Sequence, residues 1–308
     1  MTGWFPTDRK HWVVLIGFTI FYFLWSLFFM DFRVDHLSFY FLISILFLVH
    51  RESRTFVYCL VFFSIFWILY DSMRMIPNYL VSDVNILQPY ELEKSIFGID
   101  TDGIMRTPSE WFSEHRSIFL DFMTGFFYLT WVPIPLGLGI YLYFKDRKML
   151  LRFSAAYLFT NLVGFSIYYS YPAAPPWYYA TYGNQLLLDV KSSAAELVRF
   201  DRLIGHPLFE NLYTKNSNVF AAIPSLHSAY PVIAFYYARQ AKLKWLSIII
   251  FIDIIGIWFS AIYSFHHYLI DVVAGLMCAL VGLFIFEKIV MKSKFKDWLN
   301  EYLKFVHS

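Results

Sequence analysis

Long runs of apolar residues, separated by short charged turns, dominate the chain. A helix needs about 20 apolar residues to cross about 30 Å of hydrocarbon. The runs that approach or exceed this length predict eight membrane helices, at residues 12–30, 37–49, 55–70, 117–144, 153–171, 224–238, 245–263 and 267–290. Pro133 and Pro135 lack backbone N–H donors, so they are expected to kink the fourth helix.

Two longer and more polar segments interrupt this pattern, at residues 71–116 and 172–222. The first is expected to contain short helices at the membrane surface. The second begins YPAAPPWYY, where the prolines favour an extended backbone and the aromatic rings favour the boundary between membrane and water. We expect residues 1–308 to form a single integral membrane domain, with peripheral spans at 1–70 and a helical core at 117–290 that carries any chemistry.

Composition leads to the same fold class, because 58% of the 308 residues are hydrophobic and only 16% are charged. The chain is therefore predicted to be an all-α polytopic membrane protein. A formal net charge of +2 gives no reason to expect a nucleic-acid partner, and no protein partner is evident. Cys59 and Cys278 fall inside apolar runs, where a thiol behaves as a small hydrophobic group.

The basic residues predict the orientation in the membrane. If all eight runs cross it, sixteen of the 25 lysines and arginines lie on one side. These are Arg9, Lys10, Arg51, Arg54, Lys145, Arg147, Lys148, Arg152, Arg239, Lys242, Lys244, Lys288, Lys292, Lys294, Lys296 and Lys304. By the positive-inside rule this side, with both termini, is cytoplasmic. The two long segments then lie on the periplasmic face of a bacterial inner membrane, which the short chain favours, or in the lumen of a Golgi-type membrane.

The sequence SAIYSFHHYLIDVVAG places His267 and Asp271 four residues apart at the predicted start of the last span. On a helix this spacing puts both side chains on one face, so the carboxylate can hold the imidazole. Ionisable residues at the mouth of a span are costly and usually functional. The alternative is a pair that only pins the helix end. His266 lies about 100° around the helix, so it either contacts a substrate head group or is an ordinary interfacial histidine.

A second motif, IPSLH, ends at His227 on the same predicted face. Pro224 is expected in the first turn of a helix, whose free N–H groups attract an anion such as phosphate. Ser225 either binds that phosphate or caps its own helix. The two motifs together predict phosphoryl transfer without a metal. His267 attacks phosphorus while the carboxylate of Asp271 orients it, and His227 protonates the leaving alkoxide.

PSLH, followed by a histidine and an aspartate four residues later, resembles the type 2 phosphatidic acid phosphatase superfamily. Together YPAAPPWYY, IPSLHSAYP and YSFHHYLIDVVAG are similar to its inositol phosphorylceramide synthase branch, over residues 161–275. The resemblance implies a six-helix core without cofactor, in which His267 forms a phospho-histidine, Asp271 is its partner and His227 is the proton donor. It also implies lipid substrates, with a phosphatidylinositol-type donor and a ceramide-type acceptor.

One departure from the superfamily bears on the substrate. Its phosphatases usually carry a lysine and an arginine in the first motif, and an arginine six residues before the nucleophilic histidine. This chain has YPAAPPWYY and Ala261 instead. Fewer cations favour a singly charged phosphodiester over a phosphomonoester. A phosphatase acting on phosphatidic acid or a polyprenyl pyrophosphate is the alternative enzyme, and a lipid scramblase is the alternative that needs no His267.

Other polar and aromatic residues have expected roles outside the catalytic group. Trp177 and Tyr178 are expected to wall a lipid or inositol pocket. Asp253 is expected to form a buried hydrogen bond within the bundle, and Asp121 and Asn161 to align the outer ends of their spans. One or two basic residues are expected to replace the missing phosphate-binding cations, out of Arg74, Arg106, Arg116, Lys191, Arg199, Arg202 and Lys215.

Overall fold

The structure of the chain is a computed structural model that describes residues 5–6, 8–30, 33–214 and 218–307. Its first helices are α1 (Arg9–Phe29), α2 (Val34–Val49), α3 (Arg51–Cys59) and α4 (Val61–Ser72). The chain bends by 55° between α3 and α4, at Leu60. Most of the surface of α1 is exposed, as expected of a helix whose apolar side chains face lipid.

Short elements form a layer over one end of the long helices. They are α5 (Leu87–Phe97), β1 (Ile99–Thr101), β2 (Ile104–Arg106), α6 (Pro108–Glu114), α10 (Pro176–Tyr182), α11 (Val198–Ile204) and α12 (Leu208–Tyr213). The two strands pair antiparallel, and Asp102 and Gly103 both take positive φ at the turn between them, as tight hairpins require. We call these elements and their connections the outer layer.

The helical core contains the remaining elements. They are α7 (Ile118–Leu129), α8 (Pro133–Lys145), α9 (Arg147–Ser170), α13 (Leu226–Gln240), α14 (Lys244–Tyr263) and α15 (Leu269–Lys288), followed by α16 (Lys294–His307). Helix α13 lies at the centre, in contact with α8, α9, α14 and α15. As expected, Asn161 joins two of these helices, because its Oδ1 accepts a hydrogen bond from the Tyr230 hydroxyl at 2.9 Å.

Every predicted span contains helix, so the prediction of an all-α polytopic membrane protein is confirmed. The count of eight spans stays a prediction. Among the described residues, five helical segments are long and apolar enough to cross a membrane, one of them made of α7 and α8 together, and a sixth is added if α3 and α4 form one bent span. With 16 and 15 residues, α2 and α13 are only about 24 and 22 Å long at 1.5 Å per residue. The helix is interrupted before α8, which begins at Pro133, and the kink expected there stays a prediction.

Buried carboxylates tie the core together as expected. Asp121 accepts hydrogen bonds from the Tyr263 hydroxyl at 2.8 Å and from the Arg199 guanidinium at 2.9 Å, so it joins α7 to α14 and to the outer layer. Deeper in the bundle, Asp253 accepts a hydrogen bond from the Thr130 hydroxyl at 2.5 Å. Each bond satisfies a polar group that would otherwise be costly to bury.

Helices α13 and α15 meet where a glycine faces the backbone. A Cβ atom added to Gly275 would lie 2.1 Å from the carbonyl oxygen of Ser225. The two segments are also joined directly, since the Ser225 N–H donates to the backbone carbonyl of Asp271 at 2.9 Å. Only glycine allows this approach without moving one helix.

We therefore expect Gly275→Ala to destabilise the fold by about 1–3 kcal/mol, the usual cost of overpacking. Thermal unfolding of the purified protein in detergent measures this. Gly137→Ala is the matched control, because a Cβ at Gly137 in α8 meets nothing within 4 Å. An unchanged melting temperature for Gly275→Ala would show that the two helices do not need their close contact.

Candidate active site

Helix α13 begins at Leu226, two residues later than predicted, and its N-cap is Ser225. Pro224 therefore lies before the helix rather than in its first turn. The Ser225 hydroxyl accepts a hydrogen bond from the Ser228 N–H at 3.4 Å, and the residue is fully buried. The structure thus gives Ser225 the capping role, and because its N–H is bonded to Asp271, that donor is not free for an anion. Phosphate binding by Pro224 and Ser225 stays a prediction.

The predicted start of the last span at His267 is wrong, because α15 begins at Leu269. Before it the chain makes a tight turn in which Phe265 has a φ of 61°. The N–H groups of His266 and His267 both donate to the carbonyl of Ala261, at 3.1 and 3.0 Å. The histidines are therefore held by the end of α14 and not by helical geometry of α15.

This turn still brings the predicted catalytic side chains together. Nδ1 of His267 lies 3.3 Å from Oδ2 of Asp271, and the same oxygen accepts the Tyr268 N–H at 2.9 Å. Nε2 of His267 lies 3.4 Å from Nδ1 of His227. We call His227, His267 and Asp271 the triad. Across the described ranges, no cluster of three or more His, Cys, Asp or Glu side chains is arranged to hold a metal ion.

The electrostatics of the triad suit a nucleophile. Burial lowers the pKa of His267 to about 4, against the opposing effect of a hydrogen bond to the Ala222 carbonyl, so the imidazole is neutral at pH 7. When Nδ1 donates its proton to Asp271, Nε2 carries the lone pair. That lone pair points towards Nδ1 of His227.

Aromatic rings surround the second histidine. The Trp131 ring meets His227 edge-on, with 4.8 Å between centroids. The Tyr128 hydroxyl lies 3.3 Å from Nδ1 of His227 and accepts a hydrogen bond from the Tyr213 hydroxyl at 3.3 Å. The sequence does not distinguish these residues, because an aromatic residue in an apolar run fits the pattern equally well whether its side chain faces lipid or a functional site.

His266 is buried in the same wall, so the interfacial alternative for it is wrong. Its ring stacks on Tyr213 at 4.3 Å and on Tyr128 at 5.4 Å, and its Nε2 bonds to the Ala194 carbonyl at 2.9 Å. Burial lowers its pKa well below the usual value. His266 therefore anchors the outer layer beside the triad, and contact with a head group stays a prediction.

Trp177 and Tyr178 lie in α10, within a buried apolar cluster that includes Phe220. The Tyr178 hydroxyl bonds to the backbone of Leu187, at 2.8 Å, which is a contact internal to the outer layer. The backbone N–H of Trp177 donates to the Phe265 carbonyl at 3.1 Å and so supports the histidine turn. The hydrogen bonds of these two residues go to the outer layer and to the histidine turn rather than to the triad. Their role as walls of a substrate pocket stays a prediction.

Three of the seven basic residues proposed as phosphate ligands already have acidic partners. Three of them form salt bridges, Arg106 with Glu114 at 3.1 Å, Arg116 with Glu196 at 3.3 Å and Arg199 with Asp121 at 2.9 Å. Lys191 and Arg202 are exposed, and Lys215 lies outside the described residues. The Arg116 guanidinium lies beside the histidine turn, 5.9 Å from the centroid of the Phe265 ring.

The position of Ala261 is closed to a cation. Its side chain is fully buried in an apolar cluster with Tyr128, Phe200 and Phe209. An arginine there would need space that these rings occupy, and its charge would be buried among apolar groups. Phe200 and Phe209 of the outer layer thus occupy the space that an arginine side chain at position 261 would need.

Glu93 is a site residue that the sequence did not reveal. It lies in α5, is fully buried, and accepts the N–H groups of Leu269 at 2.8 Å and Ile270 at 3.0 Å. These are free donors at the first turn of α15, two residues after His267. In the sequence YELEK, Glu93 is indistinguishable from a solvated charge on a surface helix. Burial raises the pKa of its carboxyl to about 7, and nearby Asp271 acts in the same direction.

The sequence profile of the PAP2 superfamily matches residues 95–285, more than half of the chain. The chain belongs to the PAP2 superfamily. The matched region contains the whole triad, Glu93 lies just before it, and the peripheral helices α1 and α2 lie outside it. No solved structure matches the chain.

Named relatives of this PAP2 superfamily member include a bacterial protein of nearly identical length. The phosphoinositol dihydroceramide synthase of Bacteroides thetaiotaomicron is 42% identical over 304 residues, which is 98% of this chain and 99% of the relative. The inositol phosphorylceramide synthase catalytic subunit of Saccharomyces cerevisiae is 36% identical over 120 residues, 38% of this chain and 29% of the relative. The inositol phosphorylceramide synthase of Candida albicans is 29% identical over 184 residues, 56% of this chain and 38% of the relative.

The pKa of Glu93 predicts how activity depends on pH. Above about pH 7 it is a carboxylate that accepts two N–H groups of α15, and below that pH it becomes protonated and the cap weakens. We expect activity to fall as the pH drops through about 7. Glu93→Gln should be roughly tenfold less active at higher pH and should lack this step.

Initial rates measured between about pH 5 and 9 test this, with Glu91→Gln as the control because Glu91 is exposed on the same helix. A step near pH 7 that persists in Glu93→Gln would assign the titration to another group.

Proposed function

We propose that this protein is an integral membrane phosphotransferase that moves phosphoinositol from a phosphatidylinositol-type lipid to a ceramide-type acceptor. The observation that carries the proposal is the triad, in which an imidazole backed by a buried carboxylate faces a second imidazole. The relative named phosphoinositol dihydroceramide synthase, similar over nearly the whole chain, supports the choice of donor and acceptor.

In the first step Nε2 of His267 attacks the phosphorus of the donor. A P–N bond forms and the bond from phosphorus to the glycerol oxygen breaks. His227, which enters this step as an imidazolium ion, gives one proton to the leaving alkoxide and is left neutral, so that a diacylglycerol departs. Asp271 stabilises the positive charge on the His267 ring. Because reacting atoms need about 3–3.5 Å between them, the two imidazoles must separate from 3.4 Å for phosphorus to enter.

The second step reverses the first with a different alcohol. The acceptor hydroxyl gives its proton back to His227, and its oxygen attacks the phospho-histidine. The P–N bond breaks and the new phosphodiester leaves, which restores both histidines. A phosphatase would follow the same path with water as the acceptor.

The charge around the triad supports a phosphodiester substrate. A phosphodiester carries one negative charge, and a monoester carries nearly two. The position of Ala261 is buried among aromatic rings, and three of the basic candidates are paired with carboxylates. These three cations are therefore engaged before a substrate binds, which supports a substrate with a single negative charge.

We also propose the orientation and domain division. The triad and the outer layer, residues 71–116 and 172–222, would face the periplasm of a bacterial inner membrane, with both termini in the cytoplasm. The basic residues at the opposite ends of the helices and the bacterial relative support this assignment. Residues 1–70 would form peripheral spans beside the catalytic core at 117–290.

Loss of the nucleophile is the direct test. His267→Ala should lower transfer of labelled phosphoinositol to ceramide by about 10³-fold or more, because no phospho-histidine can form. Asp271→Asn keeps the nucleophile and loses only the charge that orients it, so a fall of roughly 10²–10⁴-fold is expected. The assay uses purified protein in lipid nanodiscs.

A matched control is His36→Gln, since His36 is a buried histidine that pairs with Asp71 away from the triad. Full transfer by His267→Ala would exclude the mechanism. Lipid scrambling that is equal in wild-type protein and in His267→Ala, without transfer of phosphoinositol by either, would favour a scramblase. Release of phosphate from phosphatidic acid by wild-type protein, without transfer to ceramide, would favour the phosphatase.

A further inference from the structure

A basic cavity lies at the end of the bundle opposite the triad. Its volume is about 270 Å³, and it is lined by residues of α1, α3 and α16 together with Asp8. Helix α15 starts beside the triad and ends near α16, which in turn packs on α3. The cavity therefore opens at the other membrane surface and cannot be part of the site described above.

The cations of this cavity are two arginines. Arg51 and Arg54 both line it, and within the part of the chain that the structure describes neither forms a salt bridge with Asp or Glu. Arg54 is only 6% exposed, and its Nη1 donates to a neutral group, the Phe47 carbonyl, at 3.1 Å. Burying a guanidinium without a counter-ion is costly, so an anion in the cavity would relieve that cost.

One carboxylate does line the cavity, and it is already committed. Asp8 accepts the Lys10 backbone N–H at 3.0 Å and lies 3.6 Å from the Lys10 ammonium group. The positive charges of Arg51 and Arg54 are therefore not neutralised by Asp8. Arg51 also donates to the His307 carbonyl at 3.1 Å, so the cationic group joins α3 to the C-terminal helix.

An apolar groove adjoins the basic cavity and shares Tyr58 with it. The groove also has a volume of about 270 Å³ and runs between α1, α2, the α3–α4 bend and α16, along Phe18, Ile43 and Val61. Tyr58 marks the boundary, because its hydroxyl bonds to Nδ1 of His11 at 2.7 Å while its ring meets Phe305 edge-on. The cavity and the groove thus form one continuous depression, with its polar part at the membrane surface and its apolar part towards the membrane interior.

We propose that the cavity and the groove together bind one anionic phospholipid, with its phosphate on Arg51 and Arg54 and an acyl chain along Val61. A guanidinium donates to phosphate oxygens in a fixed, strong geometry. Basic pockets between membrane helices are suited to anionic lipid head groups. The bound lipid would hold α1 and α16 against the core. This site is separate from catalysis, so it does not depend on the proposed function.

The test measures lipid retention and unfolding, without any activity assay. Purified protein is incubated with phosphatidylglycerol, phosphatidylcholine or inorganic phosphate, and bound lipid is counted by native mass spectrometry alongside the melting temperature. We expect phosphatidylglycerol alone to be retained and to raise the melting temperature. Equal retention of phosphatidylcholine would overturn the role of charge, and an equal rise with inorganic phosphate would overturn the role of the groove.

Two variants separate the two halves of the site. Arg51→Gln, at an exposed residue whose loss leaves the core intact, should lower retention of phosphatidylglycerol about tenfold. Val61→Phe fills the groove, keeps every charge, and should lower retention similarly. Lys304→Gln is the matched control, because Lys304 is exposed on α16 and does not line the cavity. Wild-type retention by either test variant would overturn the proposal.

Discussion

The contact between the start of α13 and the first turns of α15 is the constraint on which the site depends. Gly275 leaves room for the Ser225 carbonyl, and the Ser225 N–H bonds to the Asp271 backbone. His227 follows Ser225 by two residues, and the His267 ring lies against Asp271, so this backbone contact brings the two imidazoles together while the end of α14 holds the His267 backbone. The geometry of the triad thus depends on close packing of main chain, which is more rigid than a contact between side chains.

The outer layer encloses the turn that carries His266 and His267. Glu93 from α5 occupies free donors of α15, and Ala194 and Tyr213 hold His266. These contacts bury the turn that carries His267 between α15 and the outer layer. That enclosure explains why the imidazole is neutral, since burial is the largest cause of its lowered pKa. The short elements of the long polar segments are therefore part of the site rather than connections between spans.

The sequence was sufficient for the fold class and the triad, and insufficient for the surroundings of the triad. Apolar runs fix where membrane helices form, and the identities of His227, His267 and Asp271 follow from two short motifs. The expected reason for the His267–Asp271 pairing was nevertheless wrong, because a turn at Phe265 replaces the first helical turn. Glu93 was missed because it meets α15 only through a contact between residues far apart in the chain, and no local pattern encodes such a contact.

Enclosure of the triad also bears on the choice between transfer and hydrolysis. His267 and Asp271 are 6% and 0% exposed, and Trp131 and Tyr128 cover His227. A phospho-histidine in such a site meets little water, so it would persist until an alcohol arrives. A wall that lowers the pKa of His267 would therefore also protect the proposed phospho-histidine, and this double effect of burial favours transfer over hydrolysis.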